Sequence, residues 1–180
     1  MQPEDLPLRI VVMGVSGCGK STLAQNLSKT LQLRMKDGDE LHLPESVAKM
    51  SAGIALQDAD RWPWLDRIAN YLLDDDGGKV PGGIVACSAL KRIYRDRIRH
   101  KAGPVVFLFL EGHPDLIRQR MQQRVGHYMQ PGLLDSQLQT LEKPTTEETD
   151  VITLLIDHPI DHILQQALKA LNASSIKALS

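Results

Sequence analysis

An apolar stretch over 8–13 runs into Gly14-Val15-Ser16-Gly17-Cys18-Gly19-Lys20-Ser21, and a helical pattern starts at Lys20. This G-x-x-x-x-G-K-S spacing, set between strand and helix, constrains the fold more than any other feature. Its glycines let backbone N–H groups turn inward around phosphate oxygens, and the helix beginning at Lys20 points the positive end of its dipole at the same place. In such a loop the lysine, Lys20, reaches the β- and γ-phosphates of a nucleotide, and Ser21 ligates magnesium. Thr22 continues the cradle into the first helical turn. An ordinary glycine-rich turn is the competing reading, and the complete match in its strand–loop–helix setting argues against it.

The rest of the chain agrees with the α/β class that such a loop demands. Short apolar runs near 8–13, 33–36, 83–87, 104–110 and 151–156 read as strands. Helical patterns at 20–31, 44–52, 61–75, 90–99, 113–124, 131–141 and 159–171 fall between them. Alternation of this kind predicts one parallel five-stranded sheet flanked by helices on both sides. Pro63 is expected in the first turn of the third helix, with Asp60 as its cap, and Pro81-Gly82-Gly83 is expected as a turn before the third strand. The 180 residues suit one domain, with a helical insertion at about 40–75 and a small lid at about 120–140. A formal charge of −1 gives no global pull towards nucleic acid or an acidic membrane surface, so an anion site must be local. Two cysteines and no apolar segment of spanning length point to a reducing, cytoplasmic setting.

Beyond the loop, carboxylates and cations gather where strands end. Asp37-Gly38-Asp39 follows the second predicted strand, at the edge where open parallel sheets bind ligands. One carboxylate there can face the magnesium-bound phosphates and the other an acceptor hydroxyl. Asp39 is read as the general base or hydroxyl-orienting group and Asp37 as a magnesium ligand through water, though the sequence leaves these roles exchangeable. Arg61 can clamp an acid through two parallel hydrogen bonds, and His42 and Lys49 can hold further oxygens. Trp64 reads as a packing group. Six Lys or Arg residues against one Asp between 91 and 101 equally describe a solvated helix face. After a strand end in this fold, Lys91 and Arg95 are the ones expected to meet an anionic substrate. Arg120 and Arg124 lie four apart on one helical face, followed by Gly126-His127-Tyr128 in the lid, where Arg124 would oppose the transferring phosphoryl group. Arg120, with the loop beginning at Asp157, is expected near adenine. Gln137 and Glu142 are expected to hold the helix after the lid.

The ordered set formed by the phosphate loop, Asp37-Gly38-Asp39, His42, Lys49-Met50, Gly53, Asp58, Asp60-Arg61, Pro63-Trp64-Leu65, Cys87-Ser88-Ala89-Leu90-Lys91, Tyr94-Arg95-Asp96, Arg124-x-Gly126-His127 and Ser136-Gln137 resembles the gluconokinase family. The resemblance runs through almost the whole chain. It implies a P-loop fold like that of the nucleoside monophosphate kinases, ATP and Mg2+ as cofactors, and D-gluconate as the small-molecule acceptor. It also implies transfer of the γ-phosphoryl group to give 6-phospho-D-gluconate, and a homodimer. Lys20, Asp39 and Arg124 would be the catalytic groups; Asp39, His42, Lys49, Arg61, Lys91, Arg95 and His127 would bind the acceptor. Alternatives are a kinase of another small sugar acid and a nucleotide-binding regulatory module.

Some positions depart from the family pattern. Cys18 replaces a serine and, beside a helix N-terminus, is expected to have enhanced thiolate character. His42-Leu43-Pro44 interrupts a His-Pro pair, Ser46 replaces an asparagine, and Tyr128 stands where Phe is usual. The 42–46 changes are expected to bear on acceptor preference rather than on phosphoryl transfer.

Overall fold

The computed structural model describes residues 7–74, 82–123 and 132–177, with side chains to residue 173. Five strands, β1 (Leu8–Met13), β2 (Met35–Asp37), β3 (Gly82–Ala86), β4 (Val106–Glu111) and β5 (Val151–Leu155), form one parallel sheet in the order β2-β3-β1-β4-β5. The central strand pairs on both sides, with Val11 opposite Val85 and Phe107. The helices are α1 (Lys20–Leu31), α2 (Pro44–Ser51), α3 (Asp58–Leu73), α4 (Arg92–Ala102), α5 (Pro114–Gln122), α6 (Leu133–Thr140) and α7 (Ile160–Lys177).

Strand alternation divides the core into two layers even though β1 is apolar throughout its buried part. Ile10 and Val12 face Leu23 and Leu27 of α1 and Ile163 and Ala167 of α7. Val11 and Met13 face the other way, towards Leu65 and Ile68 of α3 and Ile98 of α4. All five strands end at the same edge, so the loops after Met13, Asp37, Ala86, Glu111 and Leu155 converge there.

The sheet agrees with the sequence-based expectation, and the differences have local causes. Helix α3 begins at Asp58, earlier than expected, because Asp60 Oδ2 accepts the Gln57 N–H at 2.9 Å and closes the helix start. Asp60 is therefore inside the first turn rather than its cap. Pro63 lies beyond that turn, on the exposed side of the helix interior. Gly82 and Gly83 are strand residues, not a turn: a Cβ at Gly82 would lie 2.1 Å from the Leu8 carbonyl oxygen, so only glycine lets β3 approach β1 there. A 3₁₀ turn over Gly38–Leu41, which the periodicity does not announce, follows β2 directly.

Candidate active site

The phosphate loop turns tightly between β1 and α1. A Cβ on Gly14 would come within 2.9 Å of the Leu110 carbonyl oxygen, and the Gly14 N–H donates to the Ser88 carbonyl, so the loop is seated on the ends of β3 and β4. Lys20 Nζ donates to the Val15 carbonyl at 3.0 Å, folding the cation over the loop. Ser16 N–H donates to Gln137 Oε1 at 2.6 Å, which brings α6 against the loop from the far part of the chain. Cys18 departs from the expectation. It is buried, and loss of solvent pushes its thiol pKa up despite the nearby Lys20, so its thiolate character is suppressed. Cys87, fully enclosed at the end of β3, is pushed up to about 12 by burial.

On one side of the loop, Gly17, Cys18, Gly19 and Thr22 border a cavity of about 320 Å³ that is closed by Arg120, His158, Pro159 and Ile163. Arg120 donates to the Ile156 carbonyl and is thereby fixed at the cavity wall. Arg120, expected near adenine, lines this cavity together with His158 and Pro159 of the loop after Asp157. An apolar slot opening onto a phosphate cradle is the shape a nucleotide base and sugar require.

On the other side, Ser21 Oγ donates to Asp37 Oδ2 at 2.8 Å, and Asp37 Oδ1 accepts the Asp39 N–H at 3.0 Å. Asp37 thus faces the phosphate side and also caps the 3₁₀ turn. The Asp39 side chain is exposed, one residue beyond a glycine pressed against the sheet. A Cβ on Gly38 would lie 2.7 Å from the Ala86 carbonyl oxygen, and the Gly38 carbonyl accepts from Trp64 Nε1 at 2.7 Å. Trp64 also stacks on His42, with ring centroids 4.4 Å apart and planes 8° from parallel. The indole that composition assigns to packing is therefore what holds Asp39 and His42 in place.

His42 and Arg61 meet in the same neighbourhood. Burial lowers the His42 pKa, Arg61 lowers it further and Asp39 opposes the shift, so the imidazole is neutral near pH 7. His42 Nδ1 and Arg61 Nε are buried without a protein partner among the described residues, and buried polar atoms of this kind call for a ligand or water. The Arg61 guanidinium carbon lies 5.6 Å from the Tyr94 ring centroid, and Lys91 Nζ lies 5.5 Å from it. Tyr94 Oη donates to Asp58 Oδ1 at 2.5 Å and Lys91 Nζ donates to the same oxygen at 3.0 Å. These two bonds hold the Asp58 carboxyl below its ordinary pKa. Lys49 Nζ is held by Asp60 Oδ1 at 2.6 Å, so both lysines brace the first turn of α3, the turn that carries Arg61.

Arg95 is corrected from substrate contact to core support. It is 1% exposed, its Nε and Nη2 are 2.7 and 2.6 Å from the two oxygens of Glu148, and its Nη1 donates to the Ala89 and Leu90 carbonyls. Ala89 has a φ of 43°, a conformation that costs an L-residue energy and persists here under that clamp. Ser46, expected to influence acceptor choice, is buried in the first turn of α2. Arg124, His127 and Tyr128, and with them residues 124–131 of the expected lid, lie outside the described residues. Asp58, Tyr94 and Gln137 join the site although the sequence assigns none of them a chemical step; the signal it offers is their place in the ordered motif set.

A phosphate loop with the hard-oxygen pair Ser21 and Asp37 beside it, a cavity on one flank and the polar cluster of Asp39, His42 and Arg61 on the other are the parts of a P-loop phosphotransferase for a small molecule. The shikimate kinase family model matches residues 16–172. The thermosensitive gluconokinase of Escherichia coli K12 is 41% identical over 165 residues, 91% of this chain and 87% of that protein. The gluconokinase of Gluconobacter oxydans is 40% identical over 167 residues, 93% of each chain. A crystal structure of a gluconokinase from Sinorhizobium meliloti 1021 superposes with a TM-score of 0.85 at 40% identity, covering 96% of both chains. Shikimate kinase from Aquifex aeolicus shares the fold at a TM-score of 0.58 and 13% identity. The chain belongs to the gluconokinase family of P-loop kinases, and it is an ATP-dependent phosphotransferase.

Proposed function

We infer that the protein transfers the γ-phosphoryl group of ATP to the terminal hydroxyl of D-gluconate, giving ADP and 6-phospho-D-gluconate. The observation that carries the acceptor class is the pair of buried unpartnered atoms, Arg61 Nε and His42 Nδ1, beside the exposed carboxylate of Asp39. A sugar acid meets that set: its carboxylate pairs with Arg61, its hydroxyls with neutral His42, and its far hydroxyl with Asp39. The E. coli, G. oxydans and S. meliloti relatives carry the gluconokinase name, in line with that acceptor.

Lys20 and the loop amides stabilise charge on the phosphates, while Asp39 orients the hydroxyl and takes its proton as oxygen attacks phosphorus and the bond to ADP breaks. Ser21 and Asp37 are hard oxygen donors suited to magnesium, Ser21 directly and Asp37 through water. With ATP present, the ion would neutralise part of the β- and γ-phosphate charge. Arg124 and His127 complete the reading from the lid side, Arg124 against the phosphoryl group and His127 against the acceptor. Lys91 and Lys49 contribute through the α3 turn that they brace. A single kinase domain, a homodimer and a cytoplasmic setting belong to the same reading. Among the described residues no helix is long and apolar enough to cross a membrane.

The test is ADP production with Mg-ATP across D-gluconate, related sugar acids, glucose, shikimate and no acceptor. Gluconate-dependent turnover with a product one phosphoryl group heavier is expected; ATP binding with no acceptor response would end the assignment. Asp39→Asn is expected to lower kcat by roughly 10²–10⁴-fold at unchanged melting temperature, because a proton acceptor is lost from an exposed position.

A further inference from the structure

The Val15–Ser16 peptide of the phosphate loop is gripped from both sides. Its carbonyl accepts from the Lys20 ammonium at 3.0 Å, and its N–H donates to Gln137 Oε1 at 2.6 Å. In a trans peptide these groups point in opposite directions, so Lys20 and Gln137 hold one rigid plane between them. The flanking Gly14 and Gly17, with φ of +144° and +82°, give this peptide little restraint of their own. Within the loop the carbonyl also accepts the Cys18 N–H, at a long 3.4 Å, whereas the hold on the N–H comes from α6, more than a hundred residues away in sequence. That helix is anchored by the Arg118–Asp135 ion pair at its start. Beyond its end, Glu142 accepts the Arg92 N–H and donates its own N–H to the Leu90 carbonyl.

We propose that Gln137 is a positioning residue for phosphoryl transfer. Through the Ser16 N–H it fixes the orientation of the Val15–Ser16 peptide, and through the Val15 carbonyl it fixes the resting place of the Lys20 ammonium. Without that hold only the long Cys18 N–H bond would orient the peptide from within the loop, and Lys20 would have to be reordered each time a nucleotide arrives. An amide suits the task because it accepts a hydrogen bond without setting a negative charge beside the phosphates.

The proposal rests on the loop being a nucleotide cradle but not on which acceptor is used, so it is tested first without acceptor. ADP and a non-hydrolysable ATP analogue are titrated calorimetrically into the wild type, Gln137→Leu and Gln137→Glu. The leucine variant is expected to bind both nucleotides about 5- to 10-fold more weakly, the worth of one good hydrogen bond. Its melting temperature without nucleotide falls by no more than about 2–4 °C, and in turnover its kcat falls while the KM for gluconate does not move. The glutamate variant keeps an acceptor for the Ser16 N–H, so its ADP affinity returns towards wild type, while its added charge leaves the ATP analogue weakened. Wild-type nucleotide affinity and kcat in Gln137→Leu would overturn the proposal. So would loss of binding in both variants together with a fall in melting temperature well beyond that of one hydrogen bond, which would make Gln137 a packing residue. A wild type that binds nucleotide but phosphorylates no acceptor would instead remove the gluconate assignment and leave this one standing.

Discussion

The segment 91–99 supplies cations to two clusters with opposite fates. Arg95 and Arg99 turn towards Glu148 and Asp150, where Arg95 is 1% exposed and both arginines donate to Glu148 at 2.7 Å or less. Lys91, with Tyr94 beside it, turns towards Asp58 and the Arg61 guanidinium, where the ion pair is part-exposed and Arg61 keeps an unpartnered Nε. In the first cluster every guanidinium nitrogen of Arg95 and Arg99 has a partner within the protein, and in the second Arg61 Nε has none among the described residues. Charge alone does not make a binding site; unspent donors do.

The largest effect that would break this contrast lies in the closed cluster. Glu148→Gln leaves Arg95 buried beside a neutral partner and is expected to cost about 3–5 kcal/mol of stability, read as a large fall in melting temperature. Acid sharpens the same point. Arg95 and, after it, Arg99 hold Glu148 down at about 2, below its ordinary 4.5, so its contribution is complete above the unfolded value and is lost as pH falls from about 4.5 towards about 2. Urea melts across that range should show a steeper loss in the wild type than in Glu148→Gln. A smaller effect, on function rather than stability, is expected in the open cluster. Arg61→Leu should raise the KM for gluconate at least tenfold, as removal of a charge-assisted bond worth about 1.5–3 kcal/mol requires, with the KM for ATP and the melting temperature little changed. An Arg61 variant with wild-type gluconate kinetics would take it out of the acceptor site. The smallest effect belongs to Lys91→Met. Its pair with Asp58 is part-exposed and screened by solvent, so only a modest rise in the gluconate KM is expected.

The same contrast explains what could be read from the sequence. The phosphate loop and Asp37-Gly38-Asp39 were legible because their chemistry is written within a few neighbouring residues and lies at strand ends that period-two patterning locates. Arg95 was not, because its partner Glu148 lies 53 residues away and only the folded chain reveals the pairing. Cys18 was misjudged for a related reason. The helix end and Lys20 that favour a thiolate are local, whereas the burial that overrides them is assembled from β4, α5 and α7. Trp64 read as core, which is half of its role; its indole N–H reaches a carbonyl 26 residues earlier and sets the acceptor loop. The sequence puts the start of α3 late because Asp60 reads as a cap and Pro63 as a first-turn residue, whereas the Asp60 carboxylate closes the helix start from inside the first turn.

The placement of Gly38 carries a consequence for how such an enzyme can diverge. Its backbone lies against the end of β3 and is tied to an indole from beneath, so the position of Asp39 is inherited from the sheet and not from the residues lining the cleft. Changes at Leu43 or elsewhere in the 42–46 stretch can then accumulate without displacing Asp39. Acceptor choice and phosphoryl transfer become separately mutable traits, and a lineage could exchange one sugar acid for another while leaving its chemistry untouched.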